Sequence, residues 1–130
     1  DILKKAGEAL DGDREGAKEI LDVLVAEKYV DDLRYATAYA REKSMISGWG
    51  VTKIRYVLSG KGIPRETISL ALAEIDEARA GQRLERLMAA KAKSLKDDPQ
   101  ARLKLLRFGL GRGYQYDEVV DVIDKCKTDI

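Results

Sequence analysis

The chain of 130 residues contains no histidine, one cysteine and two prolines. Without histidine, imidazole acid–base chemistry is excluded, and Cys126 alone can form neither an internal disulfide nor a cysteine-based zinc site. No Ser-x-x-Lys setting marks a nucleophilic serine. Cys126 lies between Lys125 and Lys127, which could lower its pKa, but we interpret it as a passive thiol. We therefore expect a protein that is not an enzyme and has no metal and no cofactor.

Long uncharged runs are also missing, so the sequence predicts neither a membrane span nor a signal peptide. We expect a cytoplasmic protein without membrane association. With 45% apolar and 36% charged residues, the composition is typical of one soluble helical domain. The chain starts at Asp1 within a segment that reads as a helix, so we interpret it as a fragment that lacks an N-terminal helix or more.

Apolar residues recur at helical spacing along most of the chain, and alternation typical of strands is almost absent. The stripes include Ile20, Leu21, Leu24 and Val25; Leu33, Ala36, Tyr39, Ala40 and Ile46; Val51, Ile54, Val57 and Leu58; and Ile68, Leu72 and Ile75. The pattern predicts an all-α fold. We expect helices at about 32–46, 51–60, 64–78, 80–95, 99–111 and 115–127.

The end of one segment recurs 51 residues later. Gly60, Lys61, Gly62 and Ile63 match Gly111, Arg112, Gly113 and Tyr114. Such self-similarity is typical of a helical array. We therefore predict tandem three-helix repeats that form an elongated, curved helical array, with a remnant of a first repeat at 1–31, a second repeat at 32–79 and a third at 80–130.

Helix ends are predicted from glycine, proline and aspartate. Gly62 and Gly113 suit left-handed positions just after helices, and Pro64 suits the first turn of the next helix. Asp31 or Asp32, and Asp97 or Asp98, are predicted N-caps. An Asp31–Asp32 carboxylate pair for acid–base or magnesium chemistry is the less favoured interpretation. The glycines at 109, 111 and 113 follow no apolar strand, so they do not indicate a phosphate-binding loop.

The net charge is only +1, but cations and anions are concentrated in different segments, and these segments follow the repeat. Residues 34–61 carry six cations and one anion, and residues 82–115 carry nine cations and three anions. The remaining segments are acidic. Since equivalent helices stack in an array, the cations should lie on one side, where they would attract phosphates or an acidic protein groove. Solvated helix faces without a partner are the alternative.

The predicted contact residues are the cations and aromatic residues of this basic side. Tyr35 and Tyr39 are predicted to lie in the core, and Trp49, between two glycines, could either fold over the repeat or contact a partner. The full predicted set for partner or DNA binding is Arg34, Arg41, Lys43, Trp49, Lys53, Arg55, Tyr56, Lys61, Lys91, Lys93, Lys104, Arg107 and Arg112.

Residues 27–63 have the most distinctive pattern, with YVDDLRYATAYAREK followed by GWGVTKIRYVLSGKGI. A tyrosine and acidic pair, aromatic–alanine steps and a basic glycine-containing run in this order resemble the RecX family, regulators of the bacterial recombinase RecA. The resemblance extends over about residues 20–123. Trp49 departs from it, because the family usually has a small or basic residue there, and Gly109 replaces the aliphatic residue expected opposite Leu58.

The resemblance implies a non-enzymatic regulator that binds the RecA–single-stranded DNA filament along its groove and inhibits strand exchange, ATP hydrolysis and filament growth. An elongated surface with one basic side would suit that groove. A direct contact with single-stranded DNA is left open, and we expect a monomer. Two other functions also stay open: a stand-alone nucleic-acid-binding helical module and a protein-only helical adaptor.

Overall fold

The computed structural model describes residues 14–128, and these residues form six helices and no strand. The helices are α1 Arg14–Met45, α2 Val51–Gly60, α3 Arg65–Ala73, α4 Glu77–Ser94, α5 Ala101–Gly111 and α6 Tyr116–Thr128. The all-α prediction is therefore confirmed. The predicted repeat remnant at 1–31 lies partly outside the described residues.

Two three-helix units each enclose a separate apolar core. In the first unit, the C-terminal half of α1 packs against α2 and α3; in the second, α4, α5 and α6 pack against one another. The buried residues of the first core are Ala36, Ala40, Ile54, Leu58, Ile68 and Ala71. Those of the second are Leu84, Met88, Leu105, Tyr114, Val119, Val122 and Ile123. This arrangement agrees with the predicted tandem three-helix repeats.

The two predicted glycine caps are confirmed. Gly62 has φ +82° and Gly113 has φ +92°, both in the left-handed region that favours glycine. After α2, the amide of Ile63 donates to the Leu58 carbonyl at 3.2 Å. After α5, the amide of Tyr114 makes the equivalent bond at 3.2 Å. Both helices thus end in the same Schellman motif, whose trailing residue packs on the core of its own unit.

The prediction that Asp31 or Asp32 caps a helix at residue 32 is wrong. Both residues lie inside α1, which runs without interruption from Arg14 to Met45. The segment 17–46 contains neither glycine nor proline, so nothing in it breaks the helix. Asp32 instead accepts a bond from Lys28, one turn earlier, at 3.4 Å.

Other helix starts also differ from prediction by a few residues. α4 begins at Glu77, because the Asp76 side chain accepts the Arg79 amide at 3.2 Å and acts as the N-cap. α5 begins at Ala101, with Gln100 rather than Asp97 or Asp98 at the N-cap position. The Asp98 carboxylate accepts the Gln100 amide at 2.8 Å, so it orders the turn that precedes the helix.

Some predicted core positions are exposed. Tyr35 is 45% exposed and Ile46 is 72% exposed, so their assignment to the core is wrong. Ile20 and Leu21, on the N-terminal half of α1, are also about two-fifths exposed, at 39% and 38%. No other helix in the described part of the chain packs against this half closely enough to cover it.

The departure at Gly109 is explained by helix packing. A Cβ at Gly109 would lie 2.7 Å from both γ-methyl carbons of Val119, which is fully buried. The equivalent position of the first unit, Leu58, is occupied by a buried side chain. In the second unit α6 therefore approaches α5 closely enough to take that space.

Candidate binding interface

Three lysines and two aromatic rings meet on one surface of the first unit. Lys43 and Lys53 place their ammonium nitrogens 4.9 and 4.4 Å from the centroid of Trp49. Lys43 and Lys61 lie 5.5 and 5.8 Å from the centroid of Tyr39. The two rings meet edge to face, with centroids 6.3 Å apart. We call these five residues the aromatic–lysine cluster.

Helix geometry explains why these residues converge. Tyr39 and Lys43 are one turn apart on α1, and therefore share a face. Lys53 lies in the first turn of α2, and Lys61 is the residue that follows its last turn. Trp49, on the 46–50 loop between the two helices, is half-buried and packs against the core of the first unit. Trp49 thus packs over the first unit, and the ammonium groups of Lys43 and Lys53 lie against its ring.

The cluster is an unneutralised concentration of positive charge. Within residues 14–128, none of its three lysines has a carboxylate oxygen within 4.0 Å. The contacts with the rings hold each ammonium group in place, at about 0.5–1 kcal/mol each for exposed pairs. Since the charge remains, the surface attracts phosphate or carboxylate groups.

A smaller cluster lies in the second unit. Lys91 and Arg112 lie 5.6 and 5.4 Å from the centroid of Phe108. We call these three residues the Phe108 cluster. Arg112 also donates from Nη1 to the Ser47 carbonyl, at 3.0 Å, so one guanidinium contacts both the Phe108 ring and the 46–50 loop. The two clusters therefore flank the same junction between units.

Three other predicted cations lie away from the aromatic–lysine cluster. Arg41 is two residues beyond Tyr39, about 200° around the helix, and Arg34 shares its face. Arg41 lines a shallow groove that also contains Glu74 and Asp76. Arg55 is likewise turned away from Lys53 and lines a groove with Ser59, Arg65, Ile68 and Ser69. The predicted basic side is thus divided between opposite faces of α1 and α2.

The remaining predicted site residues do not join either cluster. Tyr56 is 80% exposed, and Lys93 and Arg107 are exposed on the second unit. Lys104 forms an ion pair with Asp98. The hydrogen bond from Lys104, together with the bond from the Gln100 amide, lowers the pKa of the Asp98 carboxyl below its usual value. Lys104 is therefore already engaged within its own unit.

Three important residues were not in the predicted set. The sequence predicts Tyr39 only as a core residue, although its spacing from Lys43 is a local signal for a ring–cation contact. The sequence likewise predicts Phe108 only as an apolar residue. Arg83 donates from Nη2 to the Ile46 carbonyl at 3.1 Å, across 37 residues, and no local pattern could have shown this contact.

Residues 14–128 offer neither a metal site nor a membrane-spanning helix. In that part of the chain, no group of three or more cysteine, aspartate and glutamate side chains is arranged to hold a metal ion. None of its helices combines the length and the apolar character that crossing a membrane requires.

The fold and the surface define an all-α protein of tandem three-helix units that presents cations and aromatic rings beside the junction between units. Residues 31–72 match the family model described as RecX, second three-helix domain. Relatives extend the match over most of the chain. Together these findings show that the chain contains a RecX-family domain, at residues 31–72, and that most of its length is similar to proteins named Regulatory protein RecX.

Individual relatives are 31–34% identical to this chain. The Regulatory protein RecX of Clostridium botulinum strain Eklund 17B is 31% identical over 118 residues, which are 88% of this chain and 55% of the relative. That of Mycobacterium sp. strain JLS is 34% identical over 110 residues, covering 80% and 60%. That of Geobacillus kaustophilus is 33% identical over 110 residues, covering 81% and 40%. The chain spans about half the length of the curated relatives it matches. No solved structure matches the chain.

Proposed function

We propose that the chain is a non-enzymatic regulator that binds the RecA–single-stranded DNA filament and inhibits strand exchange, ATP hydrolysis and filament extension. Its similarity to proteins named Regulatory protein RecX supports a regulatory role. The observation that carries the proposal is the aromatic–lysine cluster, in which three ammonium groups lie against the Tyr39–Trp49 pair and have no carboxylate partner among residues 14–128. We further propose that the protein acts as a cytoplasmic monomer.

The chemistry of the cluster suits a nucleoprotein filament. Lysines that displace counterions from phosphates supply affinity that does not depend on sequence. Aromatic rings interleaved with cations are also typical of surfaces that bind single-stranded nucleic acid. The Phe108 cluster, on the other side of the junction, adds two cations and a third ring. A filament that exposes phosphates along a helical groove would contact both clusters at once.

We also propose that the two observed units are the second and third of three repeats, covering residues 32–79 and 80–130, and that residues 1–31 belong to the first. The separate cores of the two units support this division. The equivalent glycine caps at Gly62 and Gly113 support the same spacing. The continuous helix α1 would then join the first repeat to the second.

A second candidate function is supported by the same cluster. Because rings and lysines together bind single strands in many proteins, the chain could act as a stand-alone nucleic-acid-binding module. The difference lies in whether RecA is required. The stand-alone module would bind a single-stranded oligonucleotide alone, as tightly as it binds the filament, and with a steep dependence on salt.

The experiment that tests the proposed function measures the single-stranded-DNA-dependent ATPase of RecA as the protein is added. We expect the rate to fall as the protein saturates the filament, and the inhibition to weaken from low to moderate salt, as screening shortens the field to about 8–10 Å. Anisotropy of a labelled oligonucleotide without RecA measures binding to DNA alone. An unchanged ATPase rate at saturating protein would contradict the proposal, and tight oligonucleotide binding in that case would favour the stand-alone module.

A further inference from the structure

Residues of the second unit bind the 46–50 loop of the first unit, which contains Trp49. Arg83, on α4, donates to the Ile46 carbonyl at 3.1 Å, and Arg112 donates to the Ser47 carbonyl at 3.0 Å. Gly48 lies against Leu87, because a Cβ at this glycine would be 2.8 Å from the Leu87 Cδ1 atom. Three consecutive residues of the 46–50 loop therefore contact the second unit.

From these contacts we propose that Arg83 is a positioning residue, which orients the 46–50 loop and thereby assembles the aromatic–lysine cluster. The proposed role in filament binding rests on the proposed function, whereas the positioning of Trp49 does not. We assign this role to Arg83 and not to Arg112, because Arg112 also belongs to the Phe108 cluster. Loss of Arg112 would therefore change the candidate binding surface directly.

The surroundings of Arg83 show that it is more than a solvated surface cation. Its Nε atom is buried and has no hydrogen-bond partner among the described residues, while Nη2 reaches the loop. Arg83 and Leu87 are one turn apart on α4, so one face of this helix supplies both contacts to the loop. A guanidinium is placed in such a site at a desolvation cost, which its hydrogen bond to the carbonyl offsets.

Among the described residues of the first unit, none donates a hydrogen bond to the Ile46 or Ser47 carbonyl. Trp49 itself is tied to its own unit by its amide, which donates to the Lys43 carbonyl at 2.9 Å. The next amide, that of Gly50, donates to the Arg112 carbonyl at 2.8 Å. Residues on either side of Trp49 thus bond to the second unit, whereas Trp49 itself bonds to the first. Loss of the Arg83 contact should release the loop before Trp49 and change the environment of its ring.

The test uses Arg83→Met in the full chain, with Arg86→Met as the matched control. Arg86 is an exposed cation on the same helix, and has no contact with the loop. Because Trp49 is the only tryptophan, its emission and its quenching by acrylamide report on this site alone. These are measured well below the melting temperature, where a loss of overall stability does not affect them.

We expect Arg83→Met to shift the emission to longer wavelength, to raise quenching about twofold, and to weaken inhibition of the RecA ATPase about tenfold, the order of effect when a hydrogen bond from a charged group is lost. Arg86→Met should change none of these. If Arg83→Met does not fold, Arg83→Lys keeps the charge without the forked donor, and should shift the emission in the same direction.

The outcomes separate the two proposals. Emission and quenching of the Arg83 variant that match those of Arg86→Met would overturn the positioning role. A shifted emission with unchanged inhibition would overturn its consequence for binding. If the unmodified protein does not inhibit RecA but Arg83→Met still shifts the emission, the positioning role stands and the proposed function fails.

Discussion

Gly50 and Gly113 meet backbone to backbone at the junction of the two units. A Cβ at Gly50 would lie 2.3 Å from the carbonyl carbon of Gly113, closer than any real contact allows. The amide of Thr52 donates to the Gly113 carbonyl at 3.0 Å. The Thr52 amide, which lies in the first turn of α2 and has no partner within its own helix, is thus satisfied by the residue that caps α5. The same contact brings the backbones of the two units together at the junction.

We predict that Gly50→Ala destabilises the protein by about 2 kcal/mol or more, because backbone atoms rather than a flexible side chain would have to move. Gly81→Ala is the control. Gly81 lies inside α4, and a Cβ there would meet no atom within 4 Å. Alanine should therefore stabilise that helix by up to about 1 kcal/mol. Urea unfolding of both variants checks the prediction, and equal free energies of unfolding would contradict it.

The two glycine caps should differ in their sensitivity to alanine. Gly62→Ala should cost about 1 kcal/mol, because φ is positive but the space around the position is open. Gly113→Ala should cost more, since its Cβ would also lie 2.2 Å from the Lys53 Cβ. Thermal unfolding of the two variants measures the difference. A larger loss at Gly62 than at Gly113 would disprove the junction contact.

The buried Tyr114 hydroxyl should make the stability of the protein depend on pH in the alkaline range. Burial raises the pKa of its hydroxyl above 10.0, although the charges of Arg83 and Arg112 act in the opposite direction. Because the pKa is higher in the folded state, this contribution is complete below the unfolded pKa and is lost as the pH rises through the folded pKa. The free energy of unfolding should therefore fall above about pH 10 more steeply in the wild type than in Tyr114→Phe. Parallel pH profiles would contradict this.

Features that depend on a few neighbouring residues could be predicted from the sequence. The caps at Gly62 and Gly113 follow from glycine, a trailing apolar residue and a helical stripe, all within one turn. The false cap at Asp31 and Asp32 shows the limit of the same reasoning. An N-cap residue starts a helix only where the preceding residues do not already form one, and residues 17–30, which include neither glycine nor proline, already form a helix.

The candidate site was harder to predict because it depends on helix phase and on contacts between units. Lys43 and Arg41 are close in sequence but lie on different faces of α1. Counting charges along the sequence ignores this difference, and therefore predicts both on one side. Arg83 contacts a loop 37 residues away, across a junction at which the backbones of Gly50 and Gly113 meet. Such contacts have no periodic signal in the sequence.

The central claim, that the aromatic–lysine cluster rather than overall positive charge binds the filament, is tested by two triple variants. One reverses Lys43, Lys53 and Lys61 to glutamate. The other reverses Arg34, Arg41 and Arg55, three exposed cations outside the cluster. Both lower the net charge by the same amount, and neither replaces a residue of the two buried cores.

The decisive measurement is the concentration of each variant that halves the single-stranded-DNA-dependent ATPase of RecA, with folding verified by circular dichroism. We predict that reversal of the three lysines abolishes inhibition, because glutamates around Tyr39 and Trp49 would repel phosphates, whereas reversal of the three arginines leaves most of it. Equal loss in both variants would mean that only overall charge matters. Full inhibition by the lysine variant would remove the cluster from the mechanism.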